Sequence, residues 1–158
     1  MEDLAFARAL HVVAVVIWIG GVAMVTTVLL PFIRTLPDSE NPVARFDRIE
    51  RRFARQARVL TLVAGLTGFY MLYRMDVWPR YLAIEFWWLH AMTLVWLIFT
   101  ILLFVLEPLV LHRKLHQWAE QDPRGTLALI QRVHWVLLTL SLITVAGAVA
   151  GSHGWTIR

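Results

Sequence analysis

The chain contains no cysteine, which excludes disulfides, thiolate metal sites and covalently attached c-type haem. Charge is scarce too: 16% of residues are charged against 59% hydrophobic, with a mean hydropathy of +0.63. Soluble domains are closer to a quarter charged, so the balance points to a bilayer protein. No apolar–polar alternation runs through the apolar segments, which argues against a transmembrane barrel. No internal repeat or low-complexity tract stands out. Basic residues outnumber acidic ones, 15 to 11, and the pI is near 10.3. The basic residues flank apolar runs, so membrane orientation explains them and nucleic acid is not an expected partner. Glu2 and Asp3 stand where a signal peptide would be basic, and the apolar run behind them is too long for a signal core.

What is present is a set of apolar runs near the length of about 20 residues that a membrane-crossing helix needs. They predict spans over about 4–33, 54–73, 81–111 and 126–151, and so a single all-α membrane domain, residues 1–158, built as a four-helix bundle. Asn41-Pro42 and Asp122-Pro123 read as helix starts, an Asx cap with proline at the first helical position. From Val43 onward Phe46, Ile49, Phe53, Ala57 and Leu60 recur at helical spacing, opposite Arg45, Arg48, Arg51, Arg52, Arg55 and Arg58. This predicts a basic amphipathic extension that runs unbroken into the second span and rests on lipid headgroups. Arg34, those six arginines, Arg113, Lys114, Arg124 and Arg132 lie on one side. Arg8, Arg74, Arg80 and Arg158 lie on the other. The richer side should be cytoplasmic, placing both termini in the periplasm of a bacterial inner membrane. Trp78, Trp87, Trp88 and Trp155 should mark one interface, Trp118 and Trp135 the other.

Two histidines interrupt the most apolar segments, His11 in "ALHVVAVVIWIGG" and His90 in "FWWLHAMTLVWLIF". Spans one and three run in the same direction. At a rise of 1.5 Å per residue, His11 is about 10 Å from the start of its span and His90 about 13 Å from the start of its own. Two imidazoles at one depth suit the axial positions of a haem iron. Hydrogen bonds from each ring to a neighbouring carbonyl are the bland alternative. Zinc fits less well, since no carboxylate accompanies the pair. Arg8, one turn from His11, with Arg74 and Arg80, would meet outward haem propionates. On the opposite side His134 and His112 form a second candidate haem site, with His116 nearby.

The segments "ALHVVAVVIWIGG", "IERRFARQARVLTLVAGLTG" and "WLHAMTL" resemble the HemJ-type protoporphyrinogen IX oxidases and the related CopD-type copper-resistance membrane proteins. The resemblance touches three of the four spans in the same order. It implies a noncovalent haem b with His11 as an axial ligand. The family's third span reads Leu-His-x-Lys, and here Met92 stands at the lysine position, which disfavours protoporphyrinogen oxidation proper. It leaves two ligation schemes, His11 with His90 or His11 with Met92. Residues 90 and 92 point about 200° apart on a helix, so one iron cannot take both. Thr93, Thr100 and Glu107 make a polar line that lies nearer His90, which favours the first scheme.

The expected function is a haem b membrane redox protein of the cytochrome b kind, passing electrons to or from a quinone, a porphyrinogen or a redox partner protein. If the chain is an enzyme it is an oxidoreductase, and no catalytic residue is assigned. Copper transport is the alternative: His11, His90, His153, Met71, Met75 and Met92 share one half of the chain's depth, and thioether with imidazole suits Cu(I). A third reading is a structural subunit of a larger complex. The glycine-bearing faces leave a homodimer open.

Overall fold

A computed structural model describes residues 2–37 and 41–155, with every side chain in that range except those of residues 110–113, 115 and 116. The described residues are helical, without a strand. Helix α1 (Glu2–Met24) widens into a π-helical segment, π1 (Val25–Leu29), and continues as α2 (Leu30–Arg34). Helix α3 covers Pro42–Arg74. Two short 3-10 turns, Trp78–Leu82 and Ile84–Phe86, lead into α4 (Trp87–Ile101), a second π segment, π2 (Leu102–Leu111), and α5 (His112–Gln121). Helix α6 covers Pro123–Ser152.

The helix starts follow from local chemistry. The Asn41 side chain accepts from the Ala44 N–H at 3.2 Å and that of Asp122 from the Gly125 N–H at 2.8 Å, each with proline next in the chain. Each cap satisfies one orphan donor of the first turn. The expected unbroken helix through the arginine-rich stretch holds: α3 is one helix of 33 residues. The third span was expected to begin near Tyr81. Its α-helix begins at Trp87, because Ala83 takes an extended backbone (φ −115°, ψ 120°) that interrupts the helical bonding.

Long-range contacts fix how the rods lie. The Asp3 carboxylate accepts from the Tyr70 hydroxyl and the Arg74 guanidinium, both at 2.8 Å, while Gly21 lies against the Phe53 ring. Helices α1 and α3 are therefore antiparallel. The start of α4 lies on the end of α6, Trp87 on Gly147 and Trp88 on Gly151, while Phe99 further along α4 shares a core with Leu138 earlier on α6, so these two helices are antiparallel as well. Trp18 meets Phe99 edge to face at 4.8 Å, and the Trp96 indole N–H donates to the Thr61 carbonyl at 2.9 Å, tying α4 to α1 and α3. That indole approaches α3 at Gly65, where an added Cβ would stand 2.6 Å from the ring nitrogen. Only glycine permits the approach.

Two cores result. One gathers Ala14, Trp18, Ala57, Ala64, Phe99 and Leu138. The other gathers Val25, Leu30, Ile33, Val43, Phe46, Leu127 and Ile130. The second takes in part of the apolar face of the amphipathic extension. Val43 and Phe46 are buried against α2 and α6, and Ile49 falls outside the buried face at 42% exposure. Arg45, Arg48, Arg51, Arg52 and Arg55 are exposed.

Three helical stretches are long and apolar enough to cross a membrane: Glu2–Arg34, Ile84–Leu109 and Pro123–Ser152. They match the first, third and fourth expected spans. Helix α3 is not among them, because Arg58 and Arg74 bound its apolar run.

Candidate functional site

His11 projects from α1 onto α3. Its Nδ1 lies 2.9 Å from the Ala64 carbonyl and 3.1 Å from Thr67 Oγ1. The Thr67 hydroxyl proton is already directed at the Val63 carbonyl, 2.6 Å away. Nδ1 is therefore the protonated nitrogen, donating to Ala64, and Nε2 keeps its lone pair. This is the arrangement that fixes the tautomer and ring plane of a metal-bound histidine. The ring passes over Gly68, where a Cβ would sit 3.4 Å from its Cε1. Further along the same two helices Trp18 Nε1 and Thr61 Oγ1 are buried without a hydrogen-bond partner among the described residues.

His90 is held differently. Its Nε2 is 3.0 Å from the Tyr81 carbonyl and its Nδ1 3.3 Å from the Phe86 carbonyl, with the Tyr81 ring edge-on at 5.4 Å. Both nitrogens face acceptors of its own segment. His11 is thus engaged by α3 and His90 by the turns before α4; no hydrogen bond or ring contact joins the two among the described residues. Met92 is half-buried while His90 is exposed. The polar line does face inward in part. Glu107 is buried, and Thr93 accepts from the Tyr81 hydroxyl at 2.6 Å while donating to the Leu89 carbonyl.

The arginines assigned to propionates have protein partners in two cases. Arg74 pairs with Asp3 at 2.8 Å, and Arg80 lies over the Phe86 ring at 5.1 Å. Arg8 is exposed. In the second candidate site His134 faces its own helix: its Nδ1 is 2.9 Å from the Ile130 carbonyl and its ring is edge-on to Phe46. The side chains of His112 and His116 lie outside the described residues. His153 is exposed, with Nδ1 2.8 Å from the Val149 carbonyl. Among the described residues no three histidine, aspartate or glutamate side chains gather as a metal-binding group.

An ion pair that the sequence reading did not single out lies between α3 and π2. Arg58 donates through Nη2 to the Glu107 carboxylate and through Nε to the Leu103 carbonyl at 2.9 Å. Two turns back on α3, Glu50 is half-buried. Burial first, and then Asp47 beside it, push its carboxyl up to about 6 against the opposing pull of Arg58 and Arg51. A carboxyl raised on folding favours the folded state in its protonated form. The benefit is complete below about pH 4.5 and is lost as pH rises through about 6. Glu50→Gln should therefore raise stability at pH 7.5 by up to about 2 kcal/mol and flatten the profile between pH 4.5 and 7. Thermal unfolding of both proteins at pH 5 and pH 7.5 checks this.

Compared with protein-family models, curated proteins and solved structures, the chain finds no match.

Proposed function

We propose that the chain is a haem b-binding redox protein of the bacterial inner membrane, akin to the HemJ-type and CopD-type membrane proteins. In this reading α1 with π1 and α2, then α3, then α4 with π2, and finally α6 cross the bilayer as a four-helix bundle with both termini periplasmic. Support for a crossing by α3 comes from its antiparallel packing along α1. The arginine-rich end faces the cytoplasm, where basic loops are retained.

The observation that carries the haem reading is the His11 ring in an apolar helix, its Nδ1 proton committed to the Ala64 carbonyl and its Nε2 lone pair without a hydrogen-bond partner among the described residues. That donor would hold a haem iron if one is bound. A second ligand is not prepared in the same way, because His90 would have to give up the Tyr81 carbonyl to offer Nε2. Met92 is the other candidate, and a thioether there would raise the haem potential. Bound haem would supply one-electron chemistry. The chain's own part is to fix the His11 ring through Ala64 and Thr67, to keep Gly68 clear beneath it, and to exclude water with the surrounding apolar residues. A membrane quinone or a porphyrinogen is the expected electron partner, and Arg8 remains available to an anionic group.

The test is the absorption spectrum of protein purified from haem-replete cells. A Soret band with sharp reduced α and β bands, counted by pyridine haemochrome, is expected. A colourless protein that binds Cu(I) would transfer the assignment to copper handling. A colourless protein that binds neither would leave a structural subunit.

A further inference from the structure

Four of the described threonines are buried: Thr26, Thr61, Thr126 and Thr144. The hydroxyls of Thr26, Thr126 and Thr144 each donate to the carbonyl four residues back, at 2.6, 2.8 and 2.8 Å. Thr61 differs. It has no exposed surface, yet its hydroxyl does not donate to the Ala57 carbonyl and meets no hydrogen-bond partner among the described residues. A polar group buried in this way is costly unless something answers it.

A second orphan lies at the same level. Trp18 is 3% exposed, and its indole N–H, which can only donate, is likewise without a partner among the described residues. The contacts of His11 with Ala64 and of Gly21 with Phe53 fix the antiparallel register of α1 on α3, which sets Trp18 opposite Ala57. Helical side chains lean toward the start of their own helix, so the indole reaches back along α1 to the level of Thr61. From α4, Trp96 donates to the Thr61 carbonyl and Phe99 stands edge-on to Trp18, closing this level on the third side. The nearby side chains on α1 and α3 are small: Ala14, Ala57 and Ala64, all buried in the same core as Trp18.

A donor and a hydroxyl, both closed off from lipid headgroups, call for a small neutral molecule that accepts and donates at once. Water does both, and an internal water needs about two to four polar partners. We propose that Trp18 and Thr61 bind one internal water molecule between α1 and α3. The water accepts from the Trp18 N–H and shares a hydrogen bond with the Thr61 hydroxyl. It donates to the Ala57 carbonyl, whose second lone pair the Thr61 hydroxyl leaves open. The site is one turn along α3 from Ala64, which holds His11, and one turn from Arg58, which holds Glu107. An exchangeable hydrogen-bonding molecule thus sits between the imidazole and the ion pair, in the middle of an apolar core. The inference stands apart from the haem reading, since it needs neither iron nor an iron ligand.

Thr61→Val keeps the side-chain shape and removes the hydroxyl, so thermal unfolding of the full-length protein in one detergent separates the outcomes. With water bound, the water loses a partner, and the midpoint should fall by about 3 °C. In a dry site the variant would relieve an orphaned hydroxyl. A midpoint that holds or rises therefore overturns the proposal. A second measurement joins the two residues. In nuclear magnetic resonance spectra of the native protein, the Trp18 indole N–H should show a cross-peak with water. Thr61→Val should remove that cross-peak, whereas Thr144→Val, whose hydroxyl is bonded within its own helix, should not. No cross-peak in the native protein, or one that survives Thr61→Val, overturns the proposal whatever the midpoints. The signal is assigned by its loss in Trp18→Phe. Should that variant not fold, it is assigned through its connection to the Trp18 backbone amide.

Discussion

His11→Ala purified from haem-replete cells is expected to carry no Soret band, a complete loss against the native spectrum. The reason lies in the tautomer. Ala64 and Thr67 hold Nδ1, so all the ligating capacity of this residue is in Nε2, and alanine removes it outright. Thr67→Val serves as the companion variant. It leaves Nε2 in place and removes only the weaker 3.1 Å contact, so haem should be retained with a shifted spectrum, as follows when support around a metal-bound histidine is weakened. Full haem content in His11→Ala would refute ligation by this residue. Loss of haem in both variants with intact folding would instead point to general disruption of the α1–α3 contact. The same preparations rank the opposite ligand. If His90→Ala keeps the native spectrum and Met92→Leu changes it, the thioether is the ligand.

What could be read from the sequence was what depends on near neighbours in the chain. The caps at Asn41 and Asp122 are legible because an Asx residue before proline carries its whole physical reason within four residues. The apolar stretches are legible because length and composition decide them. The alignment of His90 was not. A helical wheel with a constant 100° per residue relates His90 to Thr93, Thr100 and Glu107, but the chain departs from that pitch on both sides of α4. The wider π2 segment changes the rotation between residue 101 and Glu107, and the extended backbone at Ala83 lets the turns before α4 fold back so that the Tyr81 carbonyl reaches the imidazole. The protein cover of the amphipathic extension was not legible for a related reason. Its apolar stripe was plain, but a stripe does not say whether lipid or protein covers it, and here α2 and α6 do. Pro31 and Pro108 were visible as residues. Their consequence was not: proline has no N–H to return to the helix, and the carbonyls five residues before Pro31 and Pro108, those of Thr26 and Leu103, are met instead by Gln131 and Arg58, side chains more than forty residues away.

Arg58→Ala is expected to be among the most damaging single substitutions in the chain, costing up to about 3–5 kcal/mol, the upper range for breaking an ion pair whose carboxylate is buried. Three losses coincide. Glu107, 6% exposed, loses the cation it is paired with, the Leu103 carbonyl loses its donor, and Glu50 loses an attractive charge that partly offsets its burial. The first loss dominates, because an ionised carboxylate in an apolar bundle is far costlier than an unpaired carbonyl, which is worth about 1–3 kcal/mol. The physics therefore predicts an order among variants. Arg58→Met with Glu107→Leu should recover most of the loss, since no charge is left buried and the volumes are similar. What remains should be the cost of the Leu103 carbonyl, and adding Pro108→Ala should remove it by returning an N–H to the helix. Arg58→Lys should fall between, since it keeps the charge while giving up the forked geometry that serves Glu107 and Leu103 together. Unfolding midpoints of the four proteins in one detergent decide the matter. If the double variant is no more stable than Arg58→Ala, the cost does not come from the lost pairing of Arg58 with the Glu107 carboxylate, and Arg58 acts chiefly through the backbone of π2.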